Sequence, residues 1–231
     1  MYAFPENRRG IDVIFTGGEA PPPQRCRELA EGAGRIIAAD SGLIACEEAG
    51  FTPDFVTGDM DSLEEAGQTG RLRGYEGRVF RHPRDKDETD TELAIALARQ
   101  LRREEGEDGH VRLIGGGGGR LDHLFAIREL FENESPPLSW HTKNEDMYWI
   151  EADGEKADFT LRTRHGAVIS LLPLSSARFE GKGWKIRSGG LKWETDNVRW
   201  KRGFVGICNV SENDTFTLFA ECGRFMVIVN I

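Results

Sequence analysis

The stretch from Asp54 to Ser62 reads DFVTGDMDS, a short apolar run that leads directly into two aspartates separated by one residue. The run predicts a short strand, and the glycine and acids after it predict the carboxyl end of that strand. Two further polar clusters lie downstream, one from Asp85 to Asp90 and one from Gly115 to His123. We interpret the three clusters as parts of one site.

Short β-like runs alternate with helix-like segments through the first part of the chain, which predicts a mainly parallel sheet with flanking helices. The predicted strands are 11–15, 35–39, 54–57, 78–81 and 111–114, and the predicted helices are 24–31, 43–49, 89–103 and 121–131. Leu93, Leu97 and Leu101 share one face of the third helix. In the last helix, Leu124, Ile127 and Phe131 are expected to face inward.

The polar clusters each follow a predicted strand, and Asp40 also stands at a strand end. In open α/β sheets, ligands bind at the carboxyl ends of the strands. The sequence therefore predicts a shared crevice there.

The sequence changes character after Pro136 and Pro137, and we expect a domain boundary between about 144 and 151. Helical periodicity gives way to short β-like runs, which predicts a small β-sandwich. We assign 1–146 to the α/β domain and 147–231 to the sandwich. The runs are 159–161, 167–172, 177–179, 215–220 and 225–229.

The composition is that of a soluble globular protein, with 39% hydrophobic and 30% charged residues in 231. No apolar run is long enough to cross a bilayer, and the start, with Arg8 and Arg9, has no apolar stretch of signal-peptide length, so we expect a cytoplasmic protein without a membrane partner. The net charge of -9 disfavours broad binding to nucleic acid. A polyphosphate is compatible with this charge if a divalent cation lies between it and the carboxylates.

The four cysteines are widely spaced and form no Cys-x-x-Cys pair, which favours free buried thiols over disulfides or a thiolate zinc site. They are Cys26, Cys46, Cys208 and Cys222.

Asp59 and Asp61 are two residues apart, so on an extended strand end their side chains point the same way and can share one hard cation. Oxygen-only ligands favour Mg²⁺. Ordinary turn chemistry is the alternative for a glycine followed by aspartates.

The second cluster, DKDETD from Asp85 to Asp90, precedes a predicted helix. Asp87 is a candidate helix cap, and acids at a helix start complement its dipole, which is a purely structural alternative. The crowded acids repel one another unless a cation compensates them, and we therefore take Asp90 as a metal ligand.

Five consecutive glycines from Gly115 allow the backbone to approach a ligand, and the helix after them presents free N–H groups to an anion. Arg120 adds a bidentate phosphate donor. Its position fits neither the P-loop nor the dinucleotide-binding pattern. Asp122 is a candidate for orienting a ligand, and His123 for contacting it.

Five short motifs, in this order, resemble those of the thiamine pyrophosphokinase family. They are ADSG from Ala39, GDMDS from Gly58, DKDETD from Asp85, GGRLDH from Gly118 and GLKW from Gly190. The resemblance implies an α/β catalytic domain followed by a β-sandwich, and a homodimer with its site between subunits. It also implies Mg²⁺-dependent transfer of diphosphate from ATP to thiamine, with release of AMP.

The resemblance also implies roles for residues at the matching positions. The implied catalytic acids are Asp40, Asp59, Asp61 and Asp90, of which Asp59, Asp61 and Asp90 would hold the metal. The implied ATP contacts are Gly118, Gly119, Arg120, Asp122 and His123. The implied substrate contacts are Lys86, Trp193, Cys208 and Asn209, and Trp193 would pack against the thiamine rings, where an indole face attracts a cationic aromatic ligand. A core position in the sandwich is the alternative for Trp193.

Two departures from the family pattern concern the acceptor. Cys208 stands where the family commonly has a serine before the asparagine, and Ile127 stands where it has an asparagine. Another hydroxymethyl heterocycle, such as a pterin alcohol, is therefore an alternative acceptor, and a non-catalytic nucleotide or thiamine-diphosphate sensor is an alternative function. Asp59 and Asp90 are both candidates for a base, and transfer by alignment and electrostatics alone is the third possibility.

Overall fold

A computed structural model describes residues 10–175, 183–201 and 203–231. These residues form two compact units. The N-terminal unit comprises 10–127 with 140–143, and the C-terminal unit comprises 128–139 with the described residues of 144–231.

The N-terminal unit is built on parallel strands, as the sequence predicts. Their order is β5-β1-β2-β3-β4, and β6 lies beside β5. Because the chain first runs from β1 towards β4 and then returns to the other side of β1, the strand order reverses between β1 and β5. The bounds are β1 Ile11–Thr16, β2 Arg35–Ala39, β3 Phe55–Gly58, β4 Val79–Arg81, β5 His110–Gly115 and β6 Ser139–His141.

Helices connect the strands, and those at 23–30, 42–48, 90–104 and 121–129 lie close to the predicted positions, whereas the short helix at 61–65 is not predicted from the sequence. The helices are α1 Pro23–Ala30, α2 Gly42–Glu48, α3 Asp61–Glu65, α4 Asp90–Glu104 and α5 Leu121–Glu129, with 3-10 helices at Thr69–Gly74 and Leu130–Glu132. None of the helices in the described residues is long and apolar enough to span a membrane.

The buried face of α4 differs from its leucine stripe. Leu93, Leu97 and Leu101 are only half-buried, whereas Ala94 and Ala98 are buried. Alanine has little side chain, so this face lets the helix lie close to β1, β2 and β3. In α5, Ile127 and the following Phe131 are buried as predicted, and Leu124 is half-buried.

The C-terminal unit consists of antiparallel strands around one apolar core. The long strands β7 (Glu145–Arg162) and β11 (Thr215–Asn230) pair along their lengths. Strand β8 (Val168–Leu174) pairs with 224–229 of β11, β9 (Lys185–Gly189) pairs with 217–222, and β10 (Gly206–Val210) pairs with β8.

The two runs predicted at 215–220 and 225–229 are halves of one strand. A register shift between Ala220 and Cys222 lies where β11 changes its partner from β9 to β8. A bulge bends a strand without ending it, so the prediction of a break between the two runs, at the sequence that contains Gly223, is wrong. The predicted strand at 177–179 and the start of the chain, with Arg8 and Arg9, lie outside the described residues.

None of the four cysteines, all of which lie among the described residues, forms a disulfide. Cys26 and Cys46 are buried as predicted, and burial raises the pKa of their thiols, to about 11 and about 12 respectively. The prediction of burial is wrong for Cys208, which is exposed on β10, while Cys222 is half-buried.

Candidate active site

Three aspartates meet at the carboxyl ends of β2 and β3. Asp40 follows β2, and Asp59 and Asp61 follow β3. Each offers a carboxylate oxygen, and these oxygens lie within 4.8 Å of one another. Because β2 and β3 are parallel neighbours, their ends bring together residues about twenty positions apart in sequence.

Gly58 makes this close approach possible. Its φ is +144°, and a Cβ placed on it would lie 3.2 Å from Asp40 Cβ and 3.2 Å from Asp90 Oδ1. A side chain at this position would push two carboxylates away from the cluster. Glycine is therefore required both by the backbone conformation and by the space.

Asp59 and Asp61 come together through a turn, which corrects the expectation of an extended strand end. Strand β3 ends at Gly58, Met60 adopts a left-handed conformation with φ 67°, and Asp61 begins α3. The Asp61 backbone N–H donates to Asp59 Oδ1 at 3.1 Å. The turn chemistry considered as an alternative to a metal site is thus present within the cluster, and it uses only one carboxylate oxygen of Asp59.

Asp90 reaches the same cluster from the first turn of α4. The helix is capped by Thr89, whose hydroxyl accepts from the Glu92 N–H while the Glu92 carboxylate accepts from the Thr89 N–H. Asp87 is therefore not the cap, because the reciprocal Thr89–Glu92 box already satisfies the helix start. Asp90 is thus not needed as a cap.

Lys86 neutralises part of this acidic cluster. Its Nζ donates to Asp59 Oδ2 at 2.9 Å and lies 3.1 Å from Asp90 Oδ1. Burial alone would favour the neutral amine, but the hydrogen bonds to Asp59 and Asp90 outweigh it and raise the pKa of Lys86. The side chain is therefore a cation held between two carboxylates.

The carboxyl groups themselves differ in electrostatics. Burial raises the pKa of Asp40, and the charges of Asp90 and Asp61 add to the shift, against hydrogen bonds from Ser62 and from the Ser41 N–H. Burial also acts to raise the pKa of Asp59, but hydrogen bonds from Lys86 and the Asp61 N–H outweigh it, so that its pKa lies below the ordinary value. Burial thus disfavours the charged form of Asp40, whereas hydrogen bonds stabilise the charged form of Asp59.

One buried oxygen in the cluster, Asp40 Oδ1, has no hydrogen-bond donor among the described residues. Asp90 Oδ1 is also buried, and Lys86 Nζ lies 3.1 Å from it. A buried carboxylate oxygen without a donor is costly, and a hard divalent cation supplies the missing positive charge. The donor set, all carboxylate oxygens, fits Mg²⁺.

The glycine-rich loop lies where the strand order reverses. The Gly116 N–H donates to Gly17 O at 2.8 Å, and Glu19 N–H donates to Gly117 O at 2.7 Å, so the loops after β1 and β5 are joined. Gly118 and Gly119 follow with φ of 68° and 55°. Reversal points of open α/β sheets are their usual ligand crevices, which agrees with the location predicted from sequence.

Arg120 and Asp122 pair with each other at the exposed start of α5. Arg120 Nε donates to Asp122 Oδ1 at 3.2 Å, and a terminal guanidinium nitrogen donates to Asp122 Oδ2 at 2.5 Å. The hydrogen bond from Arg120 lowers the pKa of Asp122 to about 2. His123 is also exposed. The bidentate geometry predicted for a phosphate is thus used here on a carboxylate.

Trp193 lies on an exposed loop of the C-terminal unit, with 56% of its surface accessible, so the alternative of a core tryptophan is excluded. Asn209 holds this loop: its Nδ2 donates to Trp193 O at 2.7 Å, and its Oδ1 accepts from the Trp193 N–H at 3.2 Å. Lys192 Nζ lies 4.8 Å from the centre of the indole ring. One face of the indole is thus already in contact with a cation.

The two departures from the family pattern occupy different environments. Cys208 is exposed at an irregular position of β10 with φ 62°, and its N–H donates to Ser170 Oγ at 3.4 Å. Ile127 is buried, and a Cβ on Gly116 would lie 2.5 Å from its Cδ1. The side chain of Ile127 therefore packs against the glycine-rich loop at Gly116.

Sequence reasoning missed several polar contacts around the acids. Thr16 Oγ1 and Thr91 Oγ1 are 2.6 Å apart in a buried contact, and His82 Nε2 lies 3.0 Å from Thr57 Oγ1. Isolated threonines and a single histidine carry no spacing signal. Only their position at strand ends or helix starts could have marked them.

Residues 26–136, most of which belong to the N-terminal unit, match a protein-family model described as the catalytic domain of thiamin pyrophosphokinase. Over these residues, the chain is similar to the catalytic domain of the thiamin pyrophosphokinase family. The match contains Asp40, Asp59, Lys86, Asp90 and the glycine-rich loop, whereas Trp193 and Asn209 lie outside it.

Solved thiamin pyrophosphokinases share the fold over nearly the whole chain. The enzyme structure from Geobacillus thermodenitrificans is 23% identical, with a TM-score of 0.71 and coverage of 96% of this chain and 97% of the other. The Bacillus subtilis structure is 20% identical, with a TM-score of 0.73 and coverage of 95% and 98%. The yeast structure is 16% identical, with a TM-score of 0.70 and coverage of 98% and 88%. Comparison with curated protein sequences gives no match.

Proposed function

We propose that this chain is a thiamine diphosphokinase, which transfers diphosphate from ATP to the hydroxyl of thiamine and releases AMP. One observation carries the proposal: Asp40, Asp59 and Asp61 converge at the strand ends with a buried Asp40 oxygen that has no donor among the described residues. That arrangement, in a family of pyrophosphokinases, supports a metal-assisted reaction of a polyphosphate.

Mg²⁺ is the cofactor of this proposal. Asp40, Asp59 and Asp61 would hold it, with Asp90 beside them. When bound, the ion supplies positive charge that neutralises the polyphosphate and stabilises charge developing on its oxygens.

The chain's own residues act mainly by positioning. Asp59 is a weak base, because its pKa is lowered by Lys86 and by the Asp61 N–H despite its burial. This favours alignment and electrostatics over proton removal by Asp59 as the source of catalysis. The thiamine hydroxyl attacks the β-phosphorus and loses its proton to water. The bond between the β-phosphorus and the oxygen that bridges to the α-phosphate breaks, and AMP leaves with the electron pair of that bond.

Arg120 and the glycine-rich loop are proposed to hold the nucleotide. Arg120 is exposed and has a bidentate partner in Asp122, so its guanidinium is already oriented and can exchange that carboxylate for a phosphate. Gly118 and Gly119 leave the backbone open to close approach. Asp122 and His123, at the start of α5, complete this proposed nucleotide surface.

The acceptor is proposed to stack on Trp193. Its indole is exposed on a loop that Asn209 fixes through two backbone hydrogen bonds, which limits the entropy lost when a ligand binds. Cys208, next to Asn209, is exposed and available for contact.

A homodimer with the site between subunits is part of the proposal. Strand β10 ends the sheet order of the C-terminal unit, and Ile207 on it and Val205 before it are exposed, by 60% and 44%. An exposed apolar edge strand favours pairing with another chain. The cytoplasmic location expected from the sequence also belongs to this proposal.

Product analysis with several alcohols tests the reaction and the acceptor together. Protein, ATP and Mg²⁺ are incubated with thiamine or with a hydroxymethylpterin, and nucleotides and diphosphate esters are separated by chromatography. We expect AMP and thiamine diphosphate; ADP as the sole nucleotide product would refute the proposal.

A pterin alcohol is the second candidate acceptor, favoured by Cys208 in place of serine, because a thiol is a weaker hydrogen-bonding group. Preferential conversion of the pterin would establish it. Binding of nucleotide or thiamine diphosphate without any turnover would instead indicate a sensor, although the complete set of acids argues against that function.

A further inference from the structure

Lys86 is held in an unusual position for a lysine in an acidic loop. Its neighbours in 83–88 are exposed, whereas Lys86 folds inward and only 12% of its side chain is accessible. Its Nζ contacts Asp59 Oδ2 at 2.9 Å and Asp90 Oδ1 at 3.1 Å. The long side chain gives up much rotational freedom in this position, so the two ion pairs must compensate for that cost.

Within the described residues, Lys86 is the one cationic side chain paired with the acids of the cluster. Asp40 has no cationic partner there, and its buried Oδ1 has no donor. One ammonium therefore pairs with two of the four carboxylates, and the cluster keeps an excess of negative charge. That excess attracts a divalent cation even while Lys86 is bound.

Lys86 and a metal need the same oxygens. Asp59 Oδ1 already accepts the Asp61 N–H, and Asp59 Oδ2 accepts Lys86. A cation bound by Asp59 gains a full carboxylate oxygen only when the ammonium withdraws. Withdrawal costs Lys86 little if its charge moves to an anion nearby, and the polyphosphate of the proposed reaction is such an anion.

We propose that Lys86 is an internal counter-ion that holds Asp59 and Asp90 in the metal-free protein and releases them when a divalent cation and polyphosphate bind. Lys86 is then a positioning residue in the metal-free state and a phosphate contact in the loaded state. The inference rests on the proposed function, because it takes the acids as a metal site. The proposal predicts that Lys86 competes with a metal ion when no nucleotide is present. When nucleotide is bound, Lys86 contacts the polyphosphate and no longer competes with the metal ion.

The test measures Mn²⁺ binding without nucleotide, by electron paramagnetic resonance of the free ion, in the wild type and in Lys86→Met. Removing the competing charge should tighten Mn²⁺ binding by at least about fivefold, because two unit charges about 4 Å apart interact that strongly even at the dielectric constant of water. The melting temperature in EDTA should fall in Lys86→Met and recover with Mn²⁺. ATP affinity in the presence of Mn²⁺ should weaken in the same variant.

Two variants and one control complete the test. Lys86→Arg keeps the charge and should bind Mn²⁺ as the wild type does, whereas Lys86→Gln should bind it more tightly, as Lys86→Met does; the glutamine variant also serves if the methionine variant does not fold. Lys156→Met changes an exposed lysine of the other unit and should leave Mn²⁺ binding unchanged.

Equal or weaker Mn²⁺ binding by folded Lys86→Met and Lys86→Gln would overturn the inference about Lys86 alone, provided that the wild type still forms AMP. Failure of the proposed function has a different signature. In that case Asp59→Asn and Asp61→Asn would bind Mn²⁺ as well as the wild type, and no variant would form AMP.

Discussion

The acid cluster of the N-terminal unit and the Trp193 loop of the C-terminal unit are built in opposite ways. Only 5% of the surface of Asp40 is accessible to solvent, and its Oδ1 has no hydrogen-bond donor among the described residues. Trp193 is largely exposed, and its loop is fixed through backbone atoms by Asn209. The acid cluster holds incompletely neutralised carboxylates at the ends of strands. The Trp193 loop presents an exposed side chain on a backbone that is held by hydrogen bonds.

The contrast fits the two tasks proposed for them. Holding a metal and a polyphosphate needs oxygens at fixed positions with uncompensated charge, and strand ends with a turn supply this. Recognition of a flat cationic ring needs an accessible aromatic face, and it depends less on the exact positions of other side chains. Substitutions in the first region should therefore affect the rate and the stability, and substitutions in the second should affect acceptor binding.

The largest effect is expected for Asp61→Asn. The substitution removes one charge from the trio and should lower kcat/KM for AMP formation about a thousandfold, since metal-held charge stabilisation is worth several kcal/mol. Steady-state kinetics at saturating ATP measures it. Asp108→Asn, which changes an exposed aspartate outside the cluster, is the control and should keep wild-type kinetics. An active Asp61→Asn enzyme would remove the metal cluster from the mechanism.

Gly58→Ala tests the frame of the acid cluster. The new Cβ would lie 3.2 Å from Asp40 Cβ and Asp90 Oδ1 at a φ of +144°, and the free energy of unfolding should fall by about 2–3 kcal/mol. Gly67→Ala is the matched control, because Gly67 also has a positive φ but nothing within 4 Å of its Cβ position, and it should cost only about 1 kcal/mol. Urea unfolding measures both. Equal losses would mean that crowding by the two acids contributes nothing.

Trp193→Ala tests the acceptor surface. We expect the KM for thiamine to rise about tenfold with little change in kcat, since stacking and cation–π attraction together contribute about 1–2 kcal/mol. The melting temperature should hardly change, because the indole is exposed. Trp193→Phe retains an aromatic face and should recover part of the affinity. A fall in kcat at unchanged KM would place Trp193 outside acceptor binding.

The sequence predicts some features of these two regions and not others. The parallel strands and the location of the acids at their ends follow from the alternation of strand-like and helix-like segments and from turn residues, and the structure confirms them. The exposed position of Trp193 is implied only by the family resemblance. The way Asp59 and Asp61 meet does not follow, because a left-handed Met60 is decided by tertiary contacts and carries no local signal. Met60 is fully buried, and that burial compensates for its conformation.

The other differences have similar physical reasons. The leucine stripe of α4 is the more apolar face, yet close packing on a sheet favours the alanine face, because small side chains let backbones approach. In β11, a bulge at the change of partner looks like a turn when only the sequence is read. The Lys86 ion pairs were also beyond prediction, since charge in a loop gives no indication of the direction in which a side chain folds.

The smallest effect concerns the Arg120–Asp122 pair. The hydrogen bond from Arg120 lowers the pKa of Asp122 to about 2, so the stabilisation is present above the ordinary carboxyl pKa and is lost as the pH falls towards 2. The pair is exposed, so the melting temperature at neutral pH should be nearly unchanged in Arg120→Ala. Carbon NMR of the Asp122 carboxyl measures the pKa, which should return to about 3.9 in that variant. An unchanged pKa would show that Arg120 does not hold Asp122 in solution.

The most direct test of the account follows the phosphorus atoms of ATP by ³¹P NMR during incubation with protein, thiamine and Mg²⁺. The account predicts that AMP and thiamine diphosphate appear together in equal amounts, and that neither appears when Mg²⁺ is chelated. Formation of ADP with thiamine monophosphate, or of AMP with free diphosphate while thiamine remains unchanged, would contradict it.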